Sequence, residues 1–303
     1  MKSSNIGGQA VMEGVMMRNA DKYAVAVRKT DGEIVVKTEE YKGIVQNKKI
    51  RSLPIIRGVF SFIDSMVLGM STLTYSASFF MDEEEEEKDE KKESVMMGLT
   101  IACSVVMAVA IFVILPYFLS QLFRKFTDST TLITLLEGAV RLVIFFGYIL
   151  LISRMKDIQR VFMYHGAEHK CINCIEHGME LNVENVLKSS RLHKRCGTSF
   201  LFIVMIVSII FFLFIRIESP IWRVVFRLLL IPVIAGVSFE FIRLAGKSEN
   251  KLVIFLSKPG MMLQKLTTRE PDASMAEVAI ASVEAVFDWR AYLKENFGWQ
   301  EKV

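Results

Sequence analysis

The sequence predicts a mainly α-helical protein. The reading is a four-span membrane protein with a small N-terminal β-hairpin and cytosolic loop and tail elements. Three observations carry it. The 303-residue chain is 52% apolar and has a mean hydropathy of +0.36, which is high for a soluble domain and suits a chain partly in lipid. Four apolar runs, Val95–Phe123, Leu132–Ser153, Thr198–Ile217 and Ile221–Ala245, are each near the ~20 residues that cross a bilayer core. Between the second and third runs lies a polar segment, 154–197, that holds all four histidines and three of the four cysteines.

These features divide the chain into six parts. Residues 1–81 form an N-terminal cytosolic or interfacial region and 82–94 an acidic linker. A first transmembrane hairpin covers 95–153, a cytosolic metal-site loop 154–197 and a second transmembrane hairpin 198–245. Cytosolic or interfacial helices fill 246–303. The opening segment has no basic stretch followed by a short apolar core, so no cleavable leader is expected. Gly7-Gly8 suits a tight turn or close packing. Glu13, among apolar and Met neighbours, reads either as a solvated turn residue or as a carboxylate that reaches the central loop. YAVAVRK and EIVVKTEEY, joined through Asp31-Gly32, predict a hairpin over 23–41. Residues 54–80 predict an amphipathic helix lying on or dipping into the membrane surface, because Arg57 and Asp64 are costly in hydrocarbon. The run DEEEEEKDEKKE is expected to stay solvated.

The two apolar hairpins return the chain to one side of the membrane. Lys and Arg concentrate in the central segment and the tail, whereas the short hairpin loops carry few. By the positive-inside rule, the central segment and both termini are then cytosolic. Within the spans, Glu137 and Arg141 share a helix face and are expected to pair. Arg227 and Glu240 lie in the fourth run. Such charges act as helix–helix pins or line a polar path. In the tail, a short surface helix is expected to stop at Pro259-Gly260, and Pro271-Asp272 to start another. The net charge of +4 comes without a basic stripe interleaved with aromatics, so nucleic acid is not an expected partner. Membrane lipid is, and a homo-oligomer is admitted.

The chemistry concentrates in His165-Gly-Ala-Glu168-His169. On a helix these histidines are four apart and share a face, the spacing at which two imidazoles grip one zinc ion. Glu168 is placed to take a proton from activated water. The competing reading is a helix with two ordinary surface histidines. Two ligand sets are open. Cys171, Cys174, His193 and Cys196 make a plausible closed Cys3His site. His165 and His169 with one of His193, Cys196 or Glu176 leave a position open for catalysis. The histidine-led site needs a single long-range contact and is preferred, with Cys171 and Cys174 as packed or redox-sensitive thiols. His177 reads as a loop residue or a supporting group.

Four stretches, GGQAVMEGVMMR, YHGAEHKCINC, VENVLKSSRLHKRCGTSF and KLTTREP, occur in the order seen in the YqhQ-like (DUF1385) family of bacterial membrane proteins. The chain resembles that family over nearly its whole length. The resemblance implies a multi-span protein of the bacterial cytoplasmic membrane. It implies a metal site carried by His165, Glu168, His169, His193 and Cys196. The family motif does not include the position of Cys171, which weighs against the Cys3His set. Members are often labelled predicted metal-dependent enzymes, and the resemblance supplies no reaction.

Three functional readings follow. The first is a metal-dependent hydrolase acting at the membrane on a lipid-linked, peptide or other adjacent substrate. In it His165, His169 and His193 or Cys196 hold a divalent metal, zinc by ligand type, and Glu168 is the general base. The second is a non-enzymatic membrane protein whose structural zinc supports partner binding. The third is a small-solute or metal transporter using Glu137, Arg141, Arg227 and Glu240.

Overall fold

The computed structural model describes residues 2–80, 90–215, 217, 219–247 and 250–300. The chain is mainly helical with an N-terminal four-stranded antiparallel sheet. Strands β1 (Gly7–Val11), β2 (Gly14–Asn19), β3 (Lys22–Arg28) and β4 (Ile34–Glu40) pair in simple sequence order. The expected hairpin is β3–β4, with Ala26 opposite Val36. Strands β1 and β2 were not expected. They join through Met12-Glu13, with Glu13 at φ 48°, a left-handed conformation that turns usually assign to Gly or Asn.

Side-chain alternation explains why this sheet is covered on both faces. Val15, Met17, Ala24 and Ala26 point into one core, and Met16, Tyr23, Val25 and Val27 into the other. The second face is covered by helix α2 (Ile56–Ser78) through Leu68 and Tyr75, reached by way of the short α1 (Lys48–Ser52). The first face packs on two helices from distant parts of the chain. One is α6 (Lys156–Glu176), preceded by α3 (Glu90–Val109), α4 (Leu115–Gln121) and α5 (Thr130–Ile152). The other is α11 (Ala273–Val286), which follows α7 (Val183–Lys188), α8 (Gly197–Phe214), α9 (Pro220–Lys247) and α10 (Lys251–Thr267). A final helix, α12 (Trp289–Phe297), closes the described chain.

Among the described residues, five helices are long and apolar enough to cross a membrane: Ile56–Ser78, Val95–Lys125, Thr130–Ile152, Gly197–Phe214 and Pro220–Gly246. The fifth relative to the expected four is α2. Its two charges, which argued against a span, are both paired. Arg57 Nε donates to Glu240 Oε1 at 2.6 Å. Asp64 is buried and accepts from the Ile44 amide at 2.8 Å, the Tyr41 hydroxyl at 3.1 Å and Arg51 at 3.3 Å. A short π-helical stretch, Ala110–Ile114, joins α3 to α4 without a break. The acidic linker expected over 82–94 lies outside the described residues up to 89, and from Glu90 onward the chain is helical.

Inside the bundle, Glu137 accepts from Arg141 at 2.9 Å and from Arg227 at 2.6 Å. Arg141 also donates to Ser208 at 2.6 Å. The Arg227 guanidinium stacks 4.7 Å from the Tyr117 ring and 4.9 Å from the Phe212 ring. One carboxylate therefore ties α4, α5, α8 and α9 together, a pairing that offsets the cost of charge among apolar helices.

Two further expectations are corrected. The first half of the central polar segment is not a loop around a motif but the 21-residue helix α6. The tail helix α10 does not stop at Pro259-Gly260. It runs on because Gly260 packs against Ser199 of α8, where a Cβ would lie 3.1 Å from Ser199 Cβ. Asp272 does cap α11, its Oδ1 accepting from the Met275 amide at 2.9 Å.

Helices α2 and α9 cross at glycines. A Cβ on Gly58 would lie 2.8 Å from Phe239 Cβ and 3.0 Å from Gly236 Cα. A Cβ on Gly236 would overlap the Ile55 carbonyl. Small residues allow this close backbone approach. Gly236→Ala is therefore expected to lose about 1–3 kcal/mol of stability, the usual cost of overpacking. Thermal unfolding in detergent checks it, with exposed Val143→Ala as a control that stays at the wild-type midpoint.

Candidate metal centre

Helix α6 places His165, Glu168 and His169 on one face, next to the first residue before α8. The two imidazole rings lie 4.4 Å apart, centre to centre. Cys196 Sγ is 3.3 Å from His165 Nε2. One ligand atom from each of His165, His169 and Cys196 lies within 4.8 Å of the others. Glu168 faces the same point, with Oε2 3.6 Å from His169 Nε2 and 3.9 Å from His165 Nε2. A small cavity of about 90 Å³ adjoins the group and is lined by Gly8, Glu168, His193 and the three clustered residues.

Each imidazole is oriented by its other nitrogen. His165 Nδ1 lies 2.9 Å from the Thr267 carbonyl and His169 Nδ1 lies 2.6 Å from the Arg191 carbonyl. A carbonyl only accepts, so each Nδ1 carries a proton, and Nε2 is the atom left for Cys196 or a metal. This is the arrangement that supporting carbonyls give metal-binding histidines. Cys196 is the N-cap of α8, where its sulfur accepts from the Thr198 amide at 3.4 Å. A helix N-terminus favours a thiolate. Burial opposes that charge, but His165 and His169 outweigh it and hold the Cys196 thiol well below its usual range. Burial likewise disfavours charge on His165, yet Cys196, Glu168 and the Thr267 carbonyl raise it to about 9. His169 is raised as well, by Glu168 and Cys196 against burial.

His193 lines the small cavity but stands outside the three-residue group. Its ring is 5.8 Å from that of His169, and its Nε2 lies 3.4 Å from Glu176 Oε2. Glu176 is fully buried and does not face the cluster. It accepts from the Ser4 amide at 2.7 Å and pairs with Arg195. Neither Cys171 nor Cys174 joins the cluster. Both sit in the core that α6 shares with the sheet and α11, and burial raises the Cys171 thiol well above its usual range and Cys174 to about 12. The Cys3His set is thus not assembled among the described residues. His177 caps α6, its Nδ1 2.7 Å from the Asn173 carbonyl.

The rest of the motif residues hold this geometry. Lys170, buried on α6, donates to the Leu187 and Ser189 carbonyls at 2.8 Å each. Asn173 donates to the Ser190 and Leu192 carbonyls at 2.6 and 3.0 Å. Gln264 accepts from the His193 amide at 2.8 Å and donates to the His193 carbonyl at 2.7 Å. Together they fix the backbone that carries Arg191, His193 and Cys196. Glu270 pairs with Lys170 at 2.9 Å and Arg191 at 3.4 Å. Lys170, Asn173, Gln264 and Glu270 were not singled out from the sequence. Lys170 and Asn173 lie in the same helical stretch as the histidines, and nothing in the spacing of Gln264 or Glu270 marks them.

Glycines admit the neighbouring segments. A Cβ on Gly166 would overlap the Arg269 carbonyl oxygen, and one on Gly8 would lie 2.8 Å from Glu168 Cγ. The strand β1 therefore lies directly on the catalytic candidate. Glu13 also reaches α6. It forms an ion pair with Arg160 and accepts from the Tyr164 hydroxyl at 3.2 Å, as the second of its two sequence readings expects.

Two outcomes follow for this geometry. Gly166→Ala is expected to displace the 267–271 segment from α6, costing about 1–3 kcal/mol, and to weaken divalent-metal binding, measured by titration calorimetry. Glu176 supplies the pH dependence. Burial opposes its charge, but His193, Arg195 and the Ser4 amide lower its pKa from 4.5 to about 2. A depressed carboxyl stabilises the fold above its unfolded value and loses that contribution as pH falls toward its folded value. Wild-type stability should then decline between pH 4.5 and 2. Glu176→Gln should lack that decline and be weaker at neutral pH by about 3 kcal/mol, the scale for breaking a buried pair.

The motifs that meet at this centre also fix the chain's relationships. Residues 53–289 match the model of the DUF1385 family, described as a protein of unknown function. Along 301 residues the chain is 36% identical to "Uncharacterized protein YqhQ" of Bacillus subtilis (strain 168), covering 96% of this chain and 94% of that protein. No solved structure matches. The matched residues include the helix, the cysteine and the carbonyl that face one another here, and the chain belongs to the DUF1385 family.

Proposed function

We propose that this protein is a metal-dependent hydrolase of the bacterial cytoplasmic membrane, with its centre at His165, His169 and Cys196 on the cytosolic side. The observation that carries the reading is the donor set itself. Two imidazole Nε2 atoms with fixed tautomers and a thiolate-favouring cysteine converge on one point. Tetrahedral zinc, with bonds of about 2.0–2.3 Å, needs donors roughly 3.3–3.8 Å apart. The Cys196–His165 separation of 3.3 Å meets that. Nitrogen and sulfur donors together suit zinc over magnesium or calcium.

A bound zinc ion would supply Lewis-acid activation of water and of the bond to be cleaved. The residues do the rest. His165 and His169 stay neutral at Nε2 when ligating, held by the Thr267 and Arg191 carbonyls. Glu168 lies beside both Nε2 atoms, within reach of a water in the small cavity, and is the general base. That cavity favours an open site over a closed structural one. His193, paired with Glu176, stands at the cavity wall as a positioning residue.

Membrane topology is part of the proposal. The sheet packs on α6 and α11, so all three lie on one side of the bilayer. An even number of crossings must then separate the sheet from α6, and likewise α6 from α11. Helix α2 returns Tyr75 and Phe79 to the sheet face, so it lies along the interface while the other four helices span. The Lys and Arg excess in 154–197 and 246–303 makes that side cytosolic. A transport reading has less support, because Glu137, Arg141 and Arg227 pair with one another and Glu240 pairs with Arg57.

Metal analysis of purified wild type beside His165→Ala and Cys171→Ser tests the centre. Wild type and Cys171→Ser are expected to carry one zinc, and His165→Ala to lose it. Loss in Cys171→Ser, or a metal-free wild type, overturns the proposal. Glu168→Gln is expected to keep its zinc and lose hydrolysis by about 100-fold or more, the contribution of a general base.

A further inference from the structure

A groove of about 570 Å³ opens beside the His165–Cys196 edge of the centre. Its inner end is formed by those two residues. Its outer walls are Phe62 of α2, Phe200 in the first turn of α8, and Phe239 and Ile242 near the end of α9. All three wall helices are long and apolar enough to cross a membrane. We propose that this groove holds an acyl chain of a bilayer phospholipid, with the lipid's polar head at the centre. The proposal rests on the reading of that centre as a hydrolytic metal site, and it narrows the substrate class to acyl lipids.

The lining of the groove is mixed: His165, Cys196 and Arg195 are polar, and Phe62, Phe200, Phe239 and Ile242 are apolar. An amphiphile has both kinds of surface. The volume falls within the range of small-molecule sites and far exceeds what water alone would need. Ile63, Met66 and Val67, which follow Phe62 on α2, and the lining residue Leu201 on α8 are exposed. An acyl chain entering from the hydrocarbon layer would pass from one apolar surface to another without crossing water. The edge strand β1 lines the same groove through Gly8, Gln9 and Ala10, so an extended peptide added to that edge is the competing occupant. Aromatic walls on an interfacial helix and two spans favour the lipid.

The test is photo-cross-linking of the full-length protein in nanodiscs containing a trace of phosphatidylglycerol with a diazirine in its acyl chain. The expected result is labelling of Phe62, Phe200 or Phe239 that excess unlabelled phosphatidylglycerol competes away. Ser65, on the exposed α2 wall of the groove, gives the blocking variant. Ser65→Trp should abolish the competable labelling while keeping wild-type metal content. Should Ser65→Trp fail to fold, Leu201→Trp blocks from the opposite wall and must give the same loss. Labelling confined to outward residues such as Val143 and Leu229, labelling unchanged in both blocked variants, or labelling displaced by an extended apolar peptide but not by lipid overturns the proposal. Competable groove labelling in a protein without metal supports the lipid groove and overturns the hydrolase reading, so the two failures are distinguishable.

Discussion

Two backbone carbonyls decide what this centre can do. Thr267 and Arg191 each hold the Nδ1 of a histidine, and so leave Nε2 as the atom available to Cys196 or a metal. The carbonyls belong to segments that are far from α6 in sequence, so their placement is a property of the whole fold. Lys170, Asn173 and Gln264 pin one segment through its backbone. Gly166 lets the other lie flat on α6. A buried polar group is costly unless paired, and here nearly the entire polar face of α6 is spent on fixing two loops. That concentration makes sense for a site whose ligand geometry must be tight.

The membrane helices and the sheet serve the same end from outside. Cys196 is presented by the first turn of a candidate span, and its N-terminal dipole favours the thiolate. Helix α10 packs on α8 through Gly260 and Ser199 and ends at Thr267. The Glu137–Arg141–Arg227 cluster fixes α8 against α5 and α9. A shift of α8 in the bilayer would thus move the sulfur relative to the histidines. Strand β1 covers the opposite side through Gly8, which encloses Glu168. The centre is therefore a joint between the long apolar helices and the sheet, and a groove adjoins that joint.

Much of the centre was legible as letters. The i, i+4 spacing of His165 and His169 placed both on one helix face, and Glu168 beside them. The choice of Cys196 over Cys171 and Cys174 was not decided by the residues' own spacing. It depends on which side of α6 meets the sheet, and the thiols at 171 and 174 fall on the packed side. The hairpin β3–β4 was legible from Asp31-Gly32, whereas β1 and β2 were not. Their connection places Glu13 rather than Gly at positive φ, and Glu13 is held there by partners on α6. The status of α2 was hidden for a related reason. Arg57 and Asp64 look unaffordable in an apolar helix until Glu240, Arg51 and Tyr41 arrive from elsewhere. Pro259 misled in the same way, because packing of Gly260 on α8 overrides a local stop signal. In each case a local rule yielded to a partner distant in sequence.

The account stands or falls on the donors around the metal. X-ray absorption at the zinc edge of the purified protein reads them directly. The account predicts two imidazole nitrogens and one sulfur, with the sulfur lost in Cys196→Ser and kept in Cys171→Ser. A first shell with three sulfurs, or a sulfur that survives Cys196→Ser, would contradict it.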